Sequence, residues 1–284
     1  MWYYNNAGET RKDITKQFKE EINMKKLTAI VLSAILLLSA VSLASCAKPT
    51  TASIYTKATE KIAALEAVEV TASMTIDMSA EGQTISMDTD YCIKSKGLKT
   101  EATTSYADIK MTMLGQSVDV VAYAEGDYVY INAMGEGIKL PKDSEMAGGY
   151  DIEATMNSFE IEVPAQFLES TEFTTDEEGN YILSFTFNGN EHADILKKFT
   201  DNVMSGLGSS LSDYELSIGE VKYELVIDKD YMMKNMNIEM TMDITTSGIT
   251  MKTSVTAEGE YVAFNDGVTI TPPEGYQSYE EWVE

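Results

Sequence analysis

Few residues in this 284-residue chain are equipped for chemistry. His192 is the only histidine, so any Ser-His-Asp or Cys-His site must use it. It stands near a predicted helix start, where a solvated surface residue is the ordinary outcome. The sequence has no Gly-x-Ser-x-Gly elbow, no phosphate loop and no His-Glu-x-x-His pair. Asp88 with Asp90, and Asp228 with Asp230, sit one pleat apart and could offer oxygens to calcium. Neither pair has the loop spacing that a tight site needs, and solvated strand faces and turns explain them better. With so many catalytic roles lacking a candidate, the expectation is a protein that is not an enzyme and that carries no metal or cofactor. Two cysteines remain, Cys46 and Cys92.

Cys46 is the one with an evident chemical destination. Met24-Lys25-Lys26 is followed by an uncharged run from Leu27 to Leu43 and then by Ala44-Ser45-Cys46. A short cationic head, an apolar stretch and small residues at its end make a secretory signal peptide. The run is at or below the roughly 17 to 25 residues of a bilayer-spanning helix. Leu43-Ala44-Ser45-Cys46 resembles the lipobox of bacterial lipoproteins, which implies that residues 24–45 are removed and that Cys46 becomes a lipid-modified first residue. The expected location is the outer face of a cytoplasmic membrane, held through that lipid. Residues 1–23 fit badly before an export signal and are read as an extension upstream of a true start at Met24, because Lys19-Glu20-Glu21 can be encoded by a ribosome-binding sequence.

Without residues 1–45 the chain keeps 15 Lys+Arg against 42 Asp+Glu, a formal charge of −27. Nucleic-acid binding needs a basic footprint on the phosphates and is excluded. Flat docking on an anionic lipid surface is opposed for the same reason. Once Cys46 is lipidated, Cys92 has no intramolecular partner, so no disulfide framework is expected. Cys92 falls in a strand pattern and is read as a small packed residue.

The elements follow from periodicity. Residues 46–52 form a polar tether, and residues 53–284 are expected to form one domain. Ser53 to Ala67 reads as an amphipathic helix with Ser53 as its cap, carrying Ile54, Ala58, Ile62 and Leu65 at helical spacing. From Val68 to Ala80 the period becomes two, apolar on even positions and polar on odd ones, which is a strand with one dry face. Further strands are expected from Ile85 to Ile93, Leu98 to Met113, Val118 to Ala124 and Tyr128 to Met134, then in four stretches from Val221 to Phe264. Glu125-Gly126-Asp127, Glu178-Gly179-Asn180 and Glu258-Gly259-Glu260 all read as tight turns. Short helices are expected at Ser158 to Leu168 and after Asn190, the latter with Ile195, Leu196, Phe199, Val203 and Leu207 on one stripe. Met74-Thr75-Ile76-Asp77-Met78 before Gly82 is echoed by Met240-Thr241-Met242-Asp243-Ile244 before Gly248. Duplication and the shared pleat rule explain the echo equally well.

About nine strands at roughly 4.8 Å spacing make a sheet about 43 Å wide, whereas two or three helices of about 10 Å cover only 20 to 30 Å of it. The fold class is therefore α+β, a large curved antiparallel sheet with a few helices on its concave face. Met74, Ile76, Met78, Met87, Met236, Met240, Met242 and Met251 are expected to line that face. Methionine is flexible and polarizable, which suits an irregular apolar or amphiphilic ligand, and equally fills a packed core. The lipobox, the helix leading into a methionine-striped hairpin, Glu125-Gly126-Asp127-Tyr128-Val129-Tyr130 and Val268-Thr269-Ile270-Thr271-Pro272-Pro273 together resemble Gram-positive lipoproteins of the LolA/LppX-like superfamily. That resemblance implies a half-barrel, in some members with a lipid-carrying cavity, and supplies no catalytic residue. The alternative expectation is an envelope interaction scaffold without a small-molecule ligand.

Overall fold

The computed structural model describes residues 48–100, 102–144, 147, 152, 163–192, 196, 215–246 and 248–282. The chain divides into two units, Met1–Pro49 and Thr50–Glu284, and the second is the subject here. The expected signal segment 24–45, its extension 1–23 and Cys46 lie outside the described residues. No helix among the described residues is long and apolar enough to cross a membrane.

Helix α1 spans Thr51–Ala63. It starts two residues before the expected cap because Thr50 takes that role. The Thr50 hydroxyl accepts the Ser53 N–H at 3.2 Å, and the Ser53 hydroxyl accepts the Thr50 N–H at 2.9 Å. This reciprocal pair satisfies two otherwise free donors of the helix start. Ile54 and Ala58, four residues apart and on one face, are fully buried.

Among the described residues twelve strands follow in one sheet. They are β1 (Ala67–Ala80), β2 (Gln83–Lys96), β3 (Thr104–Met113), β4 (Gln116–Glu125), β5 (Tyr128–Ala133), β6 (Glu136–Pro141), β7 (Thr174–Thr175), β8 (Tyr181–Asn188), β9 (Glu215–Ile227), β10 (Met233–Thr246), β11 (Ile249–Phe264) and β12 (Glu280–Glu281). A second helix, α2 (Ala165–Ser170), precedes β7. The spatial order is β12-β6-β5-β4-β3-β2-β1-β11-β10-β9-β8-β7. All neighbours are antiparallel except β12 on β6, and the ends do not meet, so the sheet is open. Two meanders, β1 to β6 and β8 to β11, are joined along the seam between β1 and β11, which runs from Val68 opposite Phe264 to Ser79 opposite Lys252. Irregularities between Glu69 and Val70, Met233 and Asn235, and Met240 and Met242 add bend and twist.

Several expectations need correction. Among the described residues twelve strands form, not nine: the two stretches expected between Ile249 and Phe264 are one strand, β11, and β6, β7, β8 and β12 add to the expected set, β6, β7 and β12 being too short to show a period. Glu258-Gly259-Glu260 is not a turn: β11 runs straight through it, with Gly259 opposite Ala72. A Cβ on Gly259 would stand 2.7 Å from Met236 Cε, so the glycine makes room for that side chain. The turns at Gly126 and Gly179 do form, with positive φ at both glycines. Residues 98–100, 102 and 103 do not join β3, since the Gly97 and Leu98 N–H groups are turned back onto the Glu66 carbonyl. Of the helix expected from Ser158 to Leu168, residues 158–162 lie outside the described residues, and the described helix Ala165–Ser170 has Pro164 as an extended N-cap. Of the stripe expected after Asn190, Leu196 is buried, and its other members lie outside the described residues. Cys92 faces outward and is half-buried, opposite Thr71 and Asp108.

The core lies on one face of the sheet. Its larger cluster joins β8 to β11 and β1 with α1 and α2, and its smaller one covers β2 to β6 through Ile93, Ala107, Val120, Ala122 and Ile131. Tyr91 packs against both. On the other face the C-terminal segment lies over β4 and β5. Tyr276 meets Tyr123 and Tyr130 edge-on at 5.0 and 4.8 Å, and its hydroxyl donates to Glu125 at 3.0 Å.

Candidate functional site

The pleat decides which side chains meet. Register places Met87, Ile76, Val255, Met240, Val221 and Phe187 in one row across six adjacent strands. One pleat step toward the hairpin tips, Ile85, Met78, Thr253, Met242 and Ile218 form the next row. One step the other way come Thr89, Met74, Ala257, Ile238, Tyr223 and Phe185, and beyond them Tyr91, Ala72, Gly259, Met236, Leu225 and Leu183. All eight residues expected on the apolar face therefore share it, on β1, β2, β10 and β11. Met74, Ile76, Met87, Met236, Met240 and Met242 are buried, and Met78 and Met251 are half-buried.

The two ends of this face differ. At the end where β9 turns into β10, aromatic rings close it. The Lys57 ammonium of α1 lies 4.3 Å above the Tyr231 ring, Tyr231 stacks on Tyr181 at 5.7 Å, and Phe173 meets Tyr181 edge-on at 5.5 Å. The helices are tied together over the same region. The Thr51 hydroxyl donates to the Thr171 carbonyl at 2.6 Å, and the Tyr55 hydroxyl accepts the Val163 N–H at 3.2 Å. Toward the hairpin tips the cover thins. Along β2, Met87 is buried while Ile85 is 40% exposed; along β11, Val255 is buried, Met251 half-buried and Ile249 54% exposed.

Exposed apolar side chains stand at or near the tips, although Glu81-Gly82-Gln83 between β1 and β2 is polar. Ile85, Met113, Leu114, Met134 and Ile249 are exposed, and topology puts all of them at the same end of the sheet. At the opposite end the connections are charged, as in Glu125-Gly126-Asp127 and Asp228-Lys229-Asp230.

Polar atoms on the apolar face are few. Thr89 is buried and hydrogen-bonded to Tyr91, whose hydroxyl is pushed above its ordinary range by burial, an effect that bond opposes. Thr253 is 3% exposed, and its Oγ1 has no hydrogen-bond partner among the described residues. Sequence reading missed Thr253, although a signal was there. It is the polar member of the series Ile249, Met251, Thr253, Val255 and Ala257.

The other candidates are placed without forming a site. His192 packs edge-on against Phe167 and Phe187 at 5.0 and 5.8 Å. Asp88 accepts from the Thr75 hydroxyl at 2.8 Å. Asp228 accepts the N–H groups of Asp230 and Met232, each at 2.8 Å, and so caps its own turn. No group of three or more acidic, histidine or cysteine side chains that could hold a metal occurs among the described residues.

A family model matches residues 50–277, well over half of the chain. The chain belongs to DUF6612, a family of unknown function. No curated protein matches it. Among solved structures this DUF6612 chain is similar to LprF from Mycobacterium bovis, with 14% identity and a TM-score of 0.40 over 79% of this chain and 97% of that one. It is also similar to a DUF1329 family protein from Desulfovibrio piger, with 9% identity and a TM-score of 0.26 over 79% and 96%. The YwiB protein of Bacillus subtilis follows, with 9% identity and a TM-score of 0.19 over 72% and 99%. At these scores neither fold nor function is transferred from them.

Proposed function

We propose that this DUF6612 protein is a lipid-anchored extracytoplasmic lipoprotein that binds an apolar or amphiphilic, lipid-like ligand on its methionine-rich sheet face. The observation that carries the reading is the asymmetry of that face, closed by aromatic rings at one end and increasingly exposed toward Ile85 and Ile249 at the other. Flexible methionines between the two ends can repack around a chain of irregular shape. The motif at Cys46 supplies the anchor, and an outer-face location on a Gram-positive membrane and kinship with LolA/LppX-like lipoproteins belong to the same reading. It assigns no catalytic role. Native mass spectrometry of the mature domain purified from its own host tests it. Lipid-sized adducts are expected; their absence, together with failure to bind the apolar dye diphenylhexatriene, refutes it. A second reading, an envelope scaffold that docks another protein, is favoured by the exposed apolar tips at Leu114 and Met134. Under it the domain binds no dye and captures a protein through those tips.

A further inference from the structure

We infer that the ligand of the methionine face carries an uncharged hydrogen-bonding group, such as an alcohol, ester or amide, and that Thr253 receives it. This rests on the ligand-binding reading above and adds the chemistry of the ligand's polar end. Thr253 sits in the middle of a row, with Met78 on β1 and Met242 on β10 as its cross-strand neighbours. Its side chain is almost wholly buried, and its Oγ1 lacks a partner among the described residues. Burying an unmade hydroxyl bond is costly, and valine would fill the same volume without that cost. Thr89, a buried threonine two rows away on the same face, has its partner in Tyr91.

Position fixes what the hydroxyl can meet. Thr253 lies one pleat step inside Met251 and two inside Ile249, where the face becomes exposed. A chain lying along Met74, Met240 and Met236 would bring a group near its outer end to Thr253. Charge then selects the group. No basic residue shares these rows, and Lys252, next in sequence, points to the opposite, wet face beside Asp243 and Ser79. A carboxylate or phosphate at Thr253 would be desolvated without a counter-charge in a strongly acidic protein. A neutral donor or acceptor meets no such penalty.

The test is displacement of diphenylhexatriene from the mature domain by dodecanol and by dodecanoate, in wild type and in Thr253→Val. In wild type, dodecanol is expected to displace the dye at concentrations at least about tenfold below dodecanoate. In the variant, dye affinity should stay within about twofold, while the dodecanol concentration needed should rise roughly five- to tenfold, the worth of one buried hydrogen bond. Without ligand the variant should unfold at a higher urea concentration than wild type, because an orphan hydroxyl is gone. Dye binding with dodecanol unaffected by the substitution overturns the inference and leaves the binding reading intact. A preference for dodecanoate, or a ligand-free variant less stable than wild type, also overturns it, the latter because the hydroxyl then has a resident partner such as water. No dye binding in either protein removes the binding reading itself, and the inference with it.

Discussion

Met240 and Met78 lie on the same face but at different depths, and replacing each by aspartate separates a dry interior from a wettable one. Met240 is 3% exposed between Val255 and Val221, one row below Met242 and Thr253. Truncating a buried methionine costs about 2 to 5 kcal/mol, and an unpaired buried carboxylate adds several more. A total of about 5 kcal/mol would remove a third or more of the 5 to 15 kcal/mol typical of a domain. With a urea dependence of about 3 kcal/mol per molar, the midpoint of Met240→Asp should fall by about 1.5 M or more. Met78 is half-buried beside the exposed Ile85, so water reaches the new carboxylate and the cost should be about 1 kcal/mol, or about 0.3 M. The two variants should also differ in pH response. The carboxyl introduced at 240 is disfavoured as an anion, so its folded pKa is raised and its penalty shrinks as pH falls from 7 toward 4. Equilibrium urea unfolding at pH 7 and pH 4.5, with Asp243→Ala as an outward-facing control, reads both effects. Equal midpoint losses for the two variants would refute the depth gradient on which the binding face rests.

The remaining predictions use other parts of the chain. Cys46→Ser should abolish incorporation of labelled fatty acid and release the protein at least partly from membranes; unchanged labelling would remove the anchor. Gly137→Ala should cost about 1 to 3 kcal/mol, because a Cβ there would stand 2.6 Å from the Tyr279 ring. It should also hasten proteolysis after Pro273, and equal proteolysis would show that Tyr279 is not held there. Burial holds Tyr91, Tyr106, Tyr123, Tyr130 and Tyr181 above the ordinary tyrosine pKa of 10.0. Above about pH 10 the unfolded chain therefore loses these protons first, and stability should fall as pH rises further. Thermal melts from pH 8 to 11.5 check this, and a flat profile contradicts the burial of the five rings.

Alternation made the long strands legible. Val68 to Ala80 keeps one apolar face over many residues, and a one-residue slip would expose all of it, so both its face and its companions on β10 and β11 could be read off. Short elements carry no such signal. β7 and β12 form because the edges of a sheet offer unpaired groups, not because Thr174-Thr175 or Glu280-Glu281 favours a strand. Gly259 misled because glycine serves two physical needs, positive φ in turns and room for a neighbour, and one sequence cannot say which. Within the candidate site the methionines were visible as a stripe, whereas the isolation of the Thr253 hydroxyl depends on which atoms surround it in three dimensions. The tyrosine cluster over β4 and β5 was invisible for the same reason, since Tyr123 and Tyr276 are far apart in sequence.

The seam between β1 and β11 has a bearing on how the chain can be made. β1 is finished near residue 80, but its partner begins at Ile249. At about 5 to 20 residues per second, roughly 10 to 30 s pass before β11 exists at all. Meanwhile β2 to β6 can fold back on one another hairpin by hairpin, which leaves one flank of β1 as a long row of unpaired backbone groups next to a bare methionine stripe. That is the configuration most prone to pairing with a wrong strand from another copy. A DUF6612 chain still being made thus depends on an escort, on slow release or on its own negative charge during that interval. Circular permutation that opens the chain between β6 and α2 and joins residue 284 to residue 50 would bring β11 out before β1, with only residues 265–284, the linker and residues 50–66 between the two strands.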